Sequence, residues 1–273
     1  MRNKKIMFGL NTATISEKNV FRQINIASKI GFQAIGLWID DIGWNANENE
    51  IIEYLNYAKE ENILINEMCF LKAFKNKNRS FNDVLKDCEY VANIANLLDC
   101  KVLVAVPAFD NNEDLTFEEY IELNVIANSF NTEICLEPAA NAKHYNSLNR
   151  AILLTEQSSI KLVLDSFHFF VGQSNIDQLI NFDAEKIALI HLSDGEHYSL
   201  ETLKQTKHDL RTYLGDGILP INDFFDVLNK INCKANYNIE IWNKEINRQD
   251  SETVAEKALK SAIKYCNKNI TTN

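Results

Sequence analysis

Lys161-Leu162-Val163-Leu164-Asp165-Ser166-Phe167-His168 is the stretch that decides how the rest of the chain reads. A continuously apolar run of strand length ends in a carboxylate, and a helix-like pattern follows at once. Such a run suits a parallel strand buried on both faces. Seven more runs of the same kind are found: Lys5–Asn11, Ala34–Trp38, Leu64–Phe70, Lys101–Val106, Glu133–Glu137, Lys186–Leu192 and Tyr237–Trp242. Amphipathic stretches fill the gaps. Ser16 is expected to cap a helix carrying Phe21, Ile24, Ala27 and Ile30, which Gly31 ends, and Ser80 precedes another with Val84, Leu85, Val91 and Ala92.

The strand starts recur at roughly 30 residues, one βα unit each. Eight units without a linker predict an α/β fold of the (β/α)8 TIM-barrel type, a single domain over residues 1–273. The scarcity of Gly (8) and Pro (3) agrees, since long flexible linkers are unlikely to be built without them. A doubly wound dinucleotide-binding sheet would need a Gly-rich turn after its first strand, and Gly9-Leu10-Asn11-Thr12-Ala13-Thr14 has none. The last strand interval is longer and holds a polar, loop-like insertion from Ser193 to Pro220.

Bulk properties exclude some functions. The net charge of −10, with no basic stripe, argues against nucleic acid as a partner. No apolar run reaches membrane-spanning length, and the basic N-terminus lacks a signal-peptide core. The six scattered cysteines include no C-x-x-C pair and read as free thiols in a reducing compartment. A cytoplasmic protein is expected, open to homo-oligomer formation.

In a barrel of this kind the reacting groups sit where strands end. Four consecutive strand ends carry ionisable residues: Glu137, Asp165, His191 and Glu240. Any one of them is as readily a solvated or hydrogen-bonded residue as a ligand. Together they would gather three carboxylates in a low-dielectric pocket, which is strongly unfavourable without a compensating cation. One divalent metal ion is therefore expected. The oxygen-rich set with one imidazole suits Mn2+, Zn2+, Co2+ or Mg2+ and does not choose among them. Nearby, His168 is placed to bond a substrate oxygen, and Asp194 to orient a ring nitrogen or a substrate hydroxyl. Arg211 reads equally as an oxygen clamp or as a surface ion pair. His144, His197 and His208 lie in polar loops and are assigned no role.

The Glu137, Asp165-x-x-His168, His191-x-x-Asp194 and Glu240 pattern resembles the xylose isomerase-like TIM-barrel superfamily of sugar isomerases and epimerases. Within it, Leu162–Phe169 followed by Ser174-Asn175-Ile176 is most similar to the inosose (2-keto-myo-inositol) isomerases. Val104-Ala105-Val106-Pro107 and the Arg211–Gly217 turn are more loosely so. The resemblance implies a sugar or inosose substrate and proton transfer next to a carbonyl. It gives Glu137 and Glu240 the acid and base roles, with the metal stabilising an enediolate. The chain departs from the pattern at three places. Thr12 stands where the inosose isomerases have Glu, strand two reads Ile35-Gly36-Leu37-Trp38 where many relatives have an acid, and strand three carries Glu67. Trp38 and Glu67 are accordingly expected on an altered substrate wall. Other readings are a dehydratase of inososes or dehydroshikimate-like acids on the same scaffold, and a non-catalytic barrel subunit. An endonuclease IV-like phosphodiesterase fits less well, for want of strand-end histidines and a basic face.

Overall fold

The eight apolar runs become eight parallel strands. The computed structural model describes residues 7–172, 174–196, 201 and 210–270. Its strands are β1 Phe8–Asn11, β2 Ala34–Trp38, β3 Leu64–Lys72, β4 Val102–Val106, β5 Glu133–Leu136, β6 Lys161–Asp165, β7 Ile187–Leu192 and β8 Asn236–Ile239. Each pairs with its neighbour in chain order, and β8 pairs back to β1 through Phe8↔Tyr237 and Leu10↔Ile239. Closure leaves the sheet without a free edge. This is the expected (β/α)8 barrel. Lys5 and Ile6, read as the start of the first strand, lie outside the described residues, as do His197 and His208.

Strand β8 ends earlier than its apolar run suggests. After Ile239 the backbone leaves the ladder. Glu240 still donates its N–H to Leu192 O at 3.1 Å, but Ile241 N–H goes to Thr14 Oγ1 at 2.9 Å. Glu240 is thereby released from the sheet at the barrel mouth.

The helices follow from local chemistry. Helix α1, Val20–Ile30, is capped by Asn19, whose side chain accepts from Arg22 N at 3.1 Å, and it ends at Gly31 in the left-handed region, φ 100°. Ser16 does not cap it, because the Ser16 hydroxyl is paired with Ser251 Oγ at 3.2 Å. Helix α2, Phe81–Leu97, starts at Ser80 in a capping box with Asp83. The expected insertion includes an antiparallel pair, Asp194–Gly195 against Arg211–Thr212, and its residues 197–200 and 202–209 lie outside the described residues.

Period-two alternation sorts the strand residues. Leu10, Ile35, Leu103, Ile134, Leu162 and Ile190 belong to the apolar layer between strands and helices. Cys69, Val104, Cys135, Val163 and Leu189 form a separate cluster inside the barrel. The inward positions one step nearer the mouth on β5, β6 and β7 are Glu137, Asp165 and His191. Across from them Asn11, Glu67 and Asn238 are fully buried polar groups. Two glycines make room for these. A Cβ on Gly9 would lie 1.9 Å from Asn238 Oδ1, and one on Gly36 would lie 1.9 Å from Glu67 Oε1. All six cysteines are free thiols. Among the described residues no helix is long and apolar enough to cross a membrane.

Candidate metal centre

The last four strands deliver one ionisable side chain each to the same end of the barrel. Parallel register sets Asp165 of β6 beside His191 of β7, and His191 beside Asn238 of β8, two residues before Glu240. Glu137 follows β5 directly and keeps its N–H on Ala105 O at 3.0 Å. Ligand atoms of Glu137, Asp165, His191 and Glu240 all lie within 4.8 Å of one another. His191 Nδ1 stands 3.0 Å from Glu137 Oε1 and 3.4 Å from Glu240 Oε2. All four residues are buried, none more than 7% exposed.

Electrostatics at this cluster are divided. Burial raises the pKa of Glu137, with the Glu240 charge adding to it and His191 opposing. Burial likewise pushes Asp165 up to about 7, against the pull of Arg211. Glu240 goes the other way: the cost of burial is outweighed by His191 and Arg211, and its carboxyl is held well below the usual range. Burial disfavours a charged His191, but Glu67, Glu240 and Glu137 outweigh it and raise its pKa.

These residues fit a divalent cation. Four buried carboxyl groups, counting Glu67, face one guanidinium and one imidazole; with all four ionised two negative charges remain even when His191 is protonated, so without a cation the cluster must hold protons. Asp165 Oδ1 accepts from His168 N at 2.6 Å, but Oδ2 has no hydrogen-bond partner. Oδ2 is 3.3 Å from Arg211 Nη2, an ion-pair distance without hydrogen-bond geometry. A buried carboxylate oxygen left in this way is a ready cation ligand.

A family model described as "Xylose isomerase-like TIM barrel" matches residues 24–266. The chain belongs to the xylose isomerase-like TIM-barrel family. Among curated proteins, an inosose isomerase of Bacillus velezensis is 22% identical over 262 residues, covering 91% of each chain. Among solved structures, the IolI protein with a bound zinc atom superposes with a TM-score of 0.85 at 21% identity, over 98% of this chain and 100% of that one. A D-psicose 3-epimerase from Clostridium cellulolyticum H10, solved with D-tagatose, gives 0.76 at 13% identity, over 97% and 99%. At these identities the structural likenesses carry the fold.

Against the xylose isomerase-like frame, the other expected site residues divide. Above the ligands lies a cavity of about 400 Å3 whose lining includes Glu137, Glu240, His168, Arg211, Trp38 and Trp242. His168 is neutral, its pKa lowered by burial and by Arg211. Its Nδ1 accepts from Ala140 N at 3.3 Å, which leaves Nε2–H as the ring donor. Arg211 is not a surface residue. It is 1% exposed, its guanidinium carbon lies 5.2 Å from the centre of the Phe167 ring, and Nη1 donates to Glu240 Oε2 at 2.6 Å. Trp38 donates Nε1–H to Asn11 Oδ1 at 2.9 Å and meets Phe70 and Trp242 edge-on.

Glu67 and Asp194 are placed differently from expectation. Glu67 does not line the cavity. It faces inward from the middle of β3, below the ligands, and is fully buried against His191. Asp194 does not reach a ring nitrogen, because its two oxygens are taken by the N–H groups of Gly195 (2.8 Å), Leu219 (3.0 Å) and Gly215 (3.1 Å). It holds the turn that carries Arg211. Sequence reasoning gave no role to Asn11 and Asn238, which bond Glu67. The signal for Asn238 was the alternation Asn236-Tyr237-Asn238-Ile239-Glu240, which puts it on the same face as Glu240.

Proposed function

We propose that this chain is a divalent-metal-dependent isomerase or epimerase of a small polyol ketone or sugar, of the inosose or ketose class. One observation carries the reading: four ligand atoms within 4.8 Å of one another, on residues of which Glu137 and Glu240 also line the cavity. The inosose isomerase relatives and the D-psicose 3-epimerase neighbour support the substrate class. The cavity, about 400 Å3, falls in the range of small-molecule sites. The net charge of −10 supports an uncharged substrate over a nucleic acid.

Glu137, Asp165, His191 and Glu240 would hold the cation, whether zinc, manganese, cobalt or magnesium. When bound, it supplies electrophilic stabilisation of negative charge developing on a substrate carbonyl oxygen. The remaining chemistry falls to the chain. Glu240, held in its carboxylate form by Arg211 and His191, is suited to take the proton from the carbon next to the carbonyl. Glu137, the other carboxyl group that lines the cavity, is suited to return a proton, and the reverse reaction exchanges the two roles. Arg211 and His168 Nε2–H are donors for substrate oxygens. Trp38 and Trp242 form an apolar wall that limits water.

The test is proton exchange. Wild-type protein loaded with metal is incubated with inososes and ketoses in deuterated water, and the α-carbon is followed by NMR. Exchange is expected for at least one substrate and is expected to vanish in Glu240→Gln, whose circular dichroism should match wild type. Undiminished exchange in that variant would remove Glu240 from the mechanism.

A further inference from the structure

Below the four ligands lies a polar layer that this reaction does not use. Glu67 Oε2 is 2.6 Å from His191 Nε2, and both side chains are fully buried. The other oxygen, Oε1, accepts from Asn11 Nδ2 at 2.8 Å and from Asn238 Nδ2 at 2.7 Å. Fixed donors set the direction of the Asn11 amide, and Asn238 exchanges a reciprocal pair of bonds with Asn66, its Nδ2 also donating to Asn66 Oδ1 at 2.9 Å. Asn11 Oδ1 accepts from Trp38 Nε1 and Ala13 N at 2.9 and 3.0 Å, and Asn238 Oδ1 accepts from Asn66 Nδ2 at 2.8 Å. Three donors therefore converge on one carboxylate, which is an acceptor on every side.

A neutral imidazole has one N–H and one lone pair. Once His191 gives up its second proton, as a cation ligand must, the Nε2–H committed to Glu67 leaves its lone pair on Nδ1. That is the atom 3.0 Å from Glu137 Oε1 and 3.4 Å from Glu240 Oε2. We propose that Glu67 is a positioning residue: it sets the tautomer and ring orientation of His191 so that Nδ1 faces the cation. The inference rests on the reading that Glu137, Asp165, His191 and Glu240 hold a cation. Gly36 is part of the arrangement, since any side chain there would occupy the space of the Glu67 carboxylate.

The same residues could instead be read as a second ion site, because Glu67, Cys69 and His191 also offer ligand atoms within 4.8 Å of one another. The hydrogen bonds decide against it. Both Glu67 oxygens and His191 Nε2 are already engaged, and the Cys69 thiol, pushed up by burial and by Glu67, keeps its proton.

An amide cannot replace this carboxylate. In Glu67→Gln the NH2 must point either at His191, which forces the proton to Nδ1, or at two asparagine NH2 groups. Zinc binding by wild type and Glu67→Gln is measured by calorimetry, with an expected loss of about 10–100-fold in affinity. In zinc-loaded wild type with 15N-labelled histidine, His191 should show a proton on Nε2 and zinc on Nδ1. Zinc on Nε2, or an affinity of Glu67→Gln within about twofold of wild type, would overturn the proposal. If Glu67→Gln does not fold, the nitrogen spectrum of wild type decides alone. Failure of wild type to bind zinc removes the parent reading together with this one. Tight zinc binding by wild type with an unchanged variant removes this one only.

Discussion

Arg211 donates Nη1–H to Glu240 Oε2 at 2.6 Å, in a place where both residues are at most 5% exposed. The same guanidinium lies beside Asp165, so it stands as counter-charge to two of the four proposed ligands. Arg211→Met leaves both carboxylates buried without it. The metal-free variant should lose about 3–5 kcal/mol of stability. Zinc should restore part of that loss, because a dication replaces the missing charge. Denaturant titrations with and without zinc check this, and an equal loss in both conditions would show that the cation and Arg211 do not share their partners.

Asp165 should make cation binding depend on pH. Its folded-state pKa of about 7 lies above the ordinary 3.8 because burial disfavours the charge. The metal-free fold therefore holds a proton that the unfolded chain releases. The stabilisation from that proton is complete below about pH 3.8 and is lost as pH rises through about 7. A cation must displace the proton, so zinc affinity should fall as pH drops from about 8 to about 6, with proton release at the lower value. Calorimetry in buffers of different ionisation enthalpy measures both. Asp165→Asn should bind zinc weakly at either pH, and without metal it should gain thermal stability over wild type at pH 8 more than at pH 5.

Gly36→Ala tests the close approach of β2 to β3. The new methyl would meet Glu67 Oε1 at 1.9 Å, and the carboxylate must move. A cost of about 1–3 kcal/mol is expected from overpacking. Glu67→Ala removes the obstacle, so the double variant should be less destabilised than the sum of the singles. Simple additivity in thermal denaturation would mean that the two positions do not compete for space.

Asp194→Ala strips the acceptor from three backbone N–H groups around the turn, Gly195 being paired directly with Arg211. A stability loss of at least about 1–3 kcal/mol is expected. Proton exchange on substrate should fall as Arg211 loses its support, while zinc affinity should not fall. A parallel collapse of zinc affinity would place Asp194 nearer the ligands than its hydrogen bonds do.

The barrel was legible because its strands are continuously apolar and evenly spaced, a pattern that depends on burial alone. The four proposed ligands were legible because each interrupts or ends such a run, as Asp165 does after Leu164. What was hidden depended on pairing across strands. Glu67 was visible as a departure from the family pattern, but its partner is 124 residues away in His191, so its direction was misread as facing substrate. Ile35-Gly36-Leu37-Trp38 stood out as a strand without an acid, yet its Gly36 leaves the space that Glu67 fills. Asp194 follows His191 by three positions, but its two-stranded turn points the carboxylate back to its own loop. Local reading finds which groups are unusual, and only the closed sheet shows which of them meet.

The proposed ligands in or just after β5, β6, β7 and β8 all stand on the inward phase of a two-residue alternation. Adding or deleting a single residue within one of those strands would swing its ligand out toward the helices while leaving every amino-acid type in place. Drift in residue identity is therefore tolerable along these segments in a way that drift in their length is not. Extra length is expected in the connections instead, and the long stretch between β7 and β8 is where this chain carries it.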